Sequence, residues 1–264
     1  MNLNLSHKVF LVTGGAQGIG EAIVRLLAKE GGIPIVVDKN EAKAKQLAED
    51  LNSRDQQAHA IGLDLSDFEN CESAIRDVIS KLGRLDGLIN NAGTNDGVSL
   101  ENGTPESYLK SLEKNQHHYY YMAHYALPHL KKTQGSILNI SSKTAITGQG
   151  GTSAYAGAKG AQLAFTREWA VELLPYQIRV NAIVPSEVMT PMYQNWLDTF
   201  PNPDKKLNEI NQNIPFGNRM TKADEIASTA VFLLSEKAAH ITGQHLFVDG
   251  GYVHLDRSLA GLQS

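Results

Sequence analysis

Short apolar runs alternate with amphipathic stretches along almost the whole chain. Val9–Thr13 (VFLVT) is four apolar residues closed by a threonine, and it reads as a buried strand. Residues 21–30 then show helical spacing, with Ile23, Leu26 and Leu27 as the apolar contacts, and Gly31 and Gly32 stop the helix. Further strands are predicted at 34–37, 58–63, 85–89, 135–140, 178–183 and 245–248. Between them the spacing predicts helices over 41–52, 70–82, 105–130, 152–174 and 222–234. Strands buried on both faces give continuous apolar runs, and interleaved helices supply the crossovers that parallel strands need. The pattern therefore predicts an α/β fold: a doubly wound, mostly parallel sheet with helices on both faces.

Composition narrows this picture without changing it. The chain has 264 residues, 42% hydrophobic and 20% charged, which suits one globular domain over 1–264. Lys plus Arg number 24 against 28 Asp plus Glu, a net charge of −4, so nucleic acid and anionic membrane are not expected partners. Cys71 is the single cysteine; it reads as a packed thiol, and no metal-binding spacing exists. No run approaches the roughly 18 apolar residues of a membrane span, and no leader pattern opens the chain. A cytoplasmic location is the expectation. Residues 187–218 break the pattern with several prolines and Trp196, and are expected to form a cap or wall over a crevice.

The turn after the first strand reads Thr13-Gly14-Gly15-Ala16-Gln17-Gly18-Ile19-Gly20. Glycines let the backbone turn tightly and approach a pyrophosphate, while helix N–H groups favour its charge. Asp38 closes the second strand, where a carboxylate can accept from both adenosine ribose hydroxyls and repel a 2′-phosphate. That favours NAD over NADP, although Lys39 follows directly; the structural alternative for Asp38 is an ordinary helix cap. Asp64 and Leu65 follow the third strand, near an adenine. Asn90, Asn91, Ala92 and Gly93 follow the fourth, where small side chains admit a cofactor; for Asn90, turn support is an equal alternative.

Tyr155 and Lys159 stand four residues apart in YAGAK, on one face of a predicted helix. A lysine ammonium there stabilises a tyrosinate. Ser142, just beyond the fifth strand, can hydrogen-bond a reacting oxygen. Together they suit general acid–base catalysis beside a hydride-carrying cofactor.

TGGAQGIG, NNAG, Ser142 with Tyr155 and Lys159, and TGQHLFVDGG make residues 5–254 resemble the short-chain dehydrogenase/reductase family. The resemblance implies a single-domain Rossmann fold, a nicotinamide cofactor and a homotetramer. It adds Asn115 as a fourth catalytic residue, supporting a proton relay through Lys159. It gives Ile89, Pro185, Val188 and Thr190 roles beside the cofactor. The family's Pro-Gly pair is Pro185-Ser186 here, which puts the local backbone geometry in question.

Candidate polar groups for a substrate wall are Thr94, Asn95, Lys143, Thr144, Gln149, Glu187, Tyr193 and Trp196, beside Ser142 and Tyr155. So many donors and acceptors suit a small sugar better than an acyl chain or steroid. SEVMTPMYQNW and VDGGYVHLDRSL are similar to stretches of the family's L-fucose dehydrogenases, which implies oxidation of a sugar at C1 to its lactone. Other sugars (D-arabinose, L-galactose, L-rhamnose, glucose) and 3-oxoacyl, ketone or hydroxysteroid reduction remain alternatives.

Overall fold

The computed structural model describes residues 2–256. Seven strands form one sheet: β1 Val9–Thr13, β2 Ile33–Asp38, β3 His59–Gly62, β4 Gly87–Asn90, β5 Ser136–Ile140, β6 Arg179–Pro185 and β7 His245–Val248. Their spatial order is β3-β2-β1-β4-β5-β6-β7, and all six pairings are parallel. The chain runs outward to β3, then returns to place β4 on the other side of β1. A crevice opens where strand order reverses in this way, at the carboxyl ends of the strands.

The pleat sorts the core. Phe10 and Val12 point to one face, where they meet Ile23, Val24 and Leu27 of α1 (Gly18–Lys29), Leu47 and Leu51 of α2 (Glu41–Asn52), and Ile226 and Val231 of α10 (Ala223–Leu234). Val9 and Leu11 point to the other. They meet Ile75 and Val78 of α3 (Phe68–Leu82), Met122 and Leu130 of α5 (His118–Thr133), and Trp169 of α7 (Ser153–Glu172). Cys71 is packed in the first turn of α3; its thiol donates to the Leu65 carbonyl, and burial pushes it up to about 12. It is an inert core thiol, as the sequence indicates.

Two departures from the sequence pattern bear on the site. The single helix expected over 105–130 is instead α4 (Pro105–Leu112), a π-helical turn (Glu113–His117) and α5. Asn115 is the reason: its side-chain amide donates to the Ser111 carbonyl at 3.0 Å, competing for the acceptor of the regular i→i−4 bond. The 187–218 segment contains α8 (Pro191–Leu197) and α9 (Pro203–Gln212). Pro191 and Pro203 start these helices, behind the capping side chains of Thr190 and Asn202. α6 is the short helix Thr144–Thr147. The C-terminal sequence YVHLDRSLAGLQS suggests a reach to a subunit interface, and most of it, 257–264, lies outside the described residues. No described helix is long and apolar enough to cross a membrane.

Candidate active site

The glycine-rich turn joins β1 to α1 at the crevice. Gly14 and Gly18 both take φ of +60°, which only glycine adopts readily. A Cβ on Gly20 would lie 2.2 Å from the Gly14 carbonyl oxygen, so the helix rests directly on the turn. Asn91 braces the turn: its side-chain amide donates to the carbonyls of Thr13 (2.9 Å) and Gly14 (3.0 Å). The Thr13 hydroxyl accepts from the N–H groups of Asn91 and Ala92. The loops after β1 and β4 are thus tied across the reversal point. Asn90 is a support residue rather than a cofactor contact: it is buried and donates to the Asn139 side chain and the Tyr119 carbonyl.

Asp38 stands at the tip of β2, accepting from the N–H groups of Ala16 (3.2 Å) and Asn40 (2.9 Å). Gln17 is exposed and accepts from Lys43; Lys39 is exposed and Ile19 half-buried. Asp64 is exposed, and the Ser66 N–H it accepts holds its carboxyl below the usual range. The Leu65 side chain belongs to the core, leaving only its backbone to face a ligand. Thr190 closes the far side, since a Cβ on Gly18 would lie 3.2 Å from its methyl group. Val188 is buried and bridges to Thr221. Pro185 accepts the Lys143 N–H. Ser186 fits its turn without a positive φ, and its hydroxyl donates to the Asp249 carbonyl. A Cβ-free cradle, a helix N-terminus and a carboxylate at the next strand tip fit a dinucleotide.

The reacting groups come from β5, the π turn and α7. The Ser141 hydroxyl, after β5, donates to the Lys159 carbonyl and anchors α7. Ser142 follows, its oxygen accepting from the Thr144 hydroxyl at 3.1 Å; buried Thr144 thus orients Ser142. Tyr155 lies in the first turn of α7, with the Lys159 Nζ 5.6 Å from its ring centre. Burial pushes the Tyr155 phenol up to about 12, against a hydrogen bond from Ser142 that pulls it down. Burial brings the Lys159 ammonium down to about 7. Asn115 is fully buried, and its side-chain oxygen accepts the Thr94 N–H at 2.7 Å. A Cβ on Gly93 would lie 2.9 Å from that oxygen and 3.7 Å from the Lys159 Nζ. Glycine at 93 therefore lets the cofactor-side loop approach the polar groups of the π turn and α7. A phenol, a neighbouring cation and a hydroxyl in one desolvated corner can exchange a proton with an alcohol or ketone.

Next along the chain from Ser142, Lys143 forms an ion pair with Glu187, their side chains 7% and 16% exposed. The Tyr252 ring lies 4.0 Å from the Lys143 Nζ. Burial, then the Glu187 carboxylate, pushes the Tyr193 phenol far above its usual value. The Thr94 hydroxyl donates to the Met192 sulfur of α8, bringing that helix over the β4 loop. Tyr193 and Trp196 meet edge to face at 5.2 Å. Asn95, Gln149 and Trp196 are exposed. The sequence reading named Lys143 and Glu187 without pairing them, and it missed Tyr119 and Gln162 behind Lys159. The four-residue step from Asn115 to Tyr119 was the available signal.

Residues 14–253 match the family model described as Enoyl-(Acyl carrier protein) reductase. The chain belongs to the short-chain dehydrogenase/reductase family. This family uses nicotinamide cofactors, consistent with the cradle above. Among its members, L-fucose dehydrogenase of Oryctolagus cuniculus is 36% identical over 245 residues, covering 92% of this chain and 84% of the relative. The crystal structure of Cj0485 dehydrogenase is 50% identical, with a TM-score of 0.93, covering 98% of this chain and 99% of the other. Aldohexose dehydrogenase of Thermoplasma acidophilum is 28% identical at a TM-score of 0.88, covering 97% and 98%. The chain is thus an oxidoreductase of this family, acting on CH–OH groups.

Proposed function

We propose that this chain oxidises a sugar hydroxyl with NAD, with L-fucose as the substrate it fits best, taken at C1 to L-fucono-lactone. The observation that carries this reading is the largely desolvated Lys143–Glu187 ion pair, whose lysine follows Ser142 in the chain, with Tyr193 beside Glu187. A charged, hydroxyl-rich wall suits several sugar hydroxyls, and it disfavours an acyl chain or a steroid. Similarity to the Oryctolagus cuniculus L-fucose dehydrogenase and to the aldohexose dehydrogenase supports the same reading.

Bound NAD supplies the hydride acceptor. Tyr155, as phenolate, takes the C1 hydroxyl proton while the C1–H electron pair leaves as hydride. The ring C–O bond is kept and the exocyclic C–O bond becomes the lactone carbonyl. Ser142 holds the reacting oxygen, and charged Lys159 stabilises the phenolate. Asn115 fixes the Thr94 backbone beside them and supports proton exit. Asp38 meets the adenosine ribose hydroxyls and disfavours a 2′-phosphate. Gly14, Gln17, Gly18, Ile19 and Gly20 face the pyrophosphate. Residues 187–218 form the substrate wall. The proposal includes a homotetramer; Tyr108, Leu109 and Tyr120 are apolar and exposed on α4 and α5.

The test is NADH formation with L-fucose, D-arabinose, L-galactose, L-rhamnose, D-glucose and a simple secondary alcohol. The reading expects preference for L-fucose. Ketone reduction without sugar oxidation would defeat it.

A further inference from the structure

Behind Lys159 lies a buried titratable side chain that the reaction above does not use. Tyr119 of α5 is fully buried. Its hydroxyl accepts from the Lys159 Nζ at 3.1 Å and donates to the Ile140 carbonyl at 3.0 Å. Lys159 also donates to that carbonyl, at 2.7 Å. Three polar groups therefore close on one another at the inner end of the site. Gln162, one turn beyond Lys159 on its other side, extends the set. Its amide donates to the Asn115 carbonyl at 2.8 Å, and its side chain lies beside the Tyr119 hydroxyl. Gln162 thus ties α7 to the π turn that carries Asn115, beside the contact of Lys159 with Tyr119.

The charge on Lys159 is delicately held. Burial works against it. From its own helix it faces Tyr155; from α5 it faces Tyr119 and His118; from β5 it faces the Ile140 carbonyl. His118 is held down to about 4 by burial, so it is neutral near pH 7, and Tyr119 is pushed above its usual range and stays protonated. Near neutral pH the oxygens of Tyr119 and Ile140 are therefore the hydrogen-bond acceptors that the ammonium meets. An acceptor oxygen favours the charged form of a buried amine.

We infer that Tyr119 is a positioning residue that holds the Lys159 ammonium in place and sets how much of it is charged. The inference rests on the reading of Tyr155 and Lys159 as the reacting pair. Its consequence concerns where the site's proton resides. The reactive form carries a phenolate at Tyr155 and a charged Lys159. It competes with a form of the same proton count, in which phenol and amine are both neutral. Because Lys159 gives up its proton before Tyr155 does, each unit lost from the lysine lowers the reactive share about tenfold.

Tyr119→Phe keeps the ring that packs against His118, at 4.8 Å between centres, and removes only the oxygen. The experiment is the pH profile of kcat and KM for NAD-linked oxidation of the best alcohol substrate, with folding checked by circular dichroism. Loss of one hydrogen bond to a charged group should lower kcat about tenfold and leave KM nearly unchanged. The lower limb of the kcat profile should move down by about one pH unit. Gln162→Met should shift it the same way by less, and it carries the test if Tyr119→Phe does not fold. A lower limb that stays in place or moves up overturns the inference, because a side chain that only packs would change thermal stability alone. Tyr155→Phe reports separately on the base: full turnover there defeats the reading of Tyr155, whereas the Tyr119→Phe profile is measured with Tyr155 intact.

Discussion

Lys143 lies one residue beyond Ser142 and Glu187 two beyond the end of β6, so their ion pair joins the carboxyl ends of the neighbouring strands β5 and β6. Removing one partner strands a desolvated charge, and the partial exposure of Glu187 tempers the cost to about 2 kcal/mol. Glu187→Gln should lower the thermal midpoint by roughly 5 °C in calorimetry. The same change should raise KM for L-fucose about tenfold while leaving kcat/KM for a monohydroxy alcohol within about twofold. Equal losses on both substrates would remove Glu187 from hydroxyl recognition.

Asp38 places its carboxylate at the tip of β2, already oriented by the Ala16 and Asn40 N–H groups. Repulsion of a 2′-phosphate by such a fixed charge amounts to several kcal/mol. Asp38→Ser should therefore lower the NAD-to-NADP ratio of kcat/KM about a hundredfold, since each 1.4 kcal/mol is tenfold. An unchanged ratio would assign Asp38 to bracing the turn alone.

His118 predicts a pH dependence of stability. It is buried, and burial holds its imidazole down to about 4, against an ordinary value of 6.5. Between those values the unfolded chain binds a proton that the folded chain refuses. The folded state's advantage is complete above pH 6.5 and is lost as pH falls toward 4. The loss amounts to about 3 kcal/mol. Urea unfolding at pH 7 and pH 4.5 should show a smaller difference in His118→Gln than in the parent chain. Identical differences would mean that carboxylates alone drive the acid sensitivity.

Much of this was legible in the chain because its cause is local. VFLVT is apolar throughout, and it forms a strand at the predicted residues. Tyr155 and Lys159 share a helix face because they are four residues apart. Other features depend on contacts that sequence spacing does not encode. Nothing in the polar stretch EKNQHH excludes a continuous helix over 105–130, so the break at Asn115 shows only once its amide meets the Ser111 carbonyl. Lys143 and Glu187 are 44 residues apart, and each alone resembles a solvated charge. Tyr119 sits in the polar, aromatic run HHYYYM, where nothing marks it as the one aimed at Lys159.

On the proposed mechanism, Tyr155 exchanges the substrate proton in the corner shared with Ser142 and Lys159. The most direct test compares Tyr155→Phe with the parent chain in kcat for L-fucose oxidation, alongside NADH binding followed by fluorescence. A positioned acid–base group contributes on the order of 100- to 10,000-fold. A kcat loss in that range is expected, with NADH affinity within about threefold of the parent because the glycine-rich cradle is untouched. Turnover at the parent rate with normal NADH binding would contradict it.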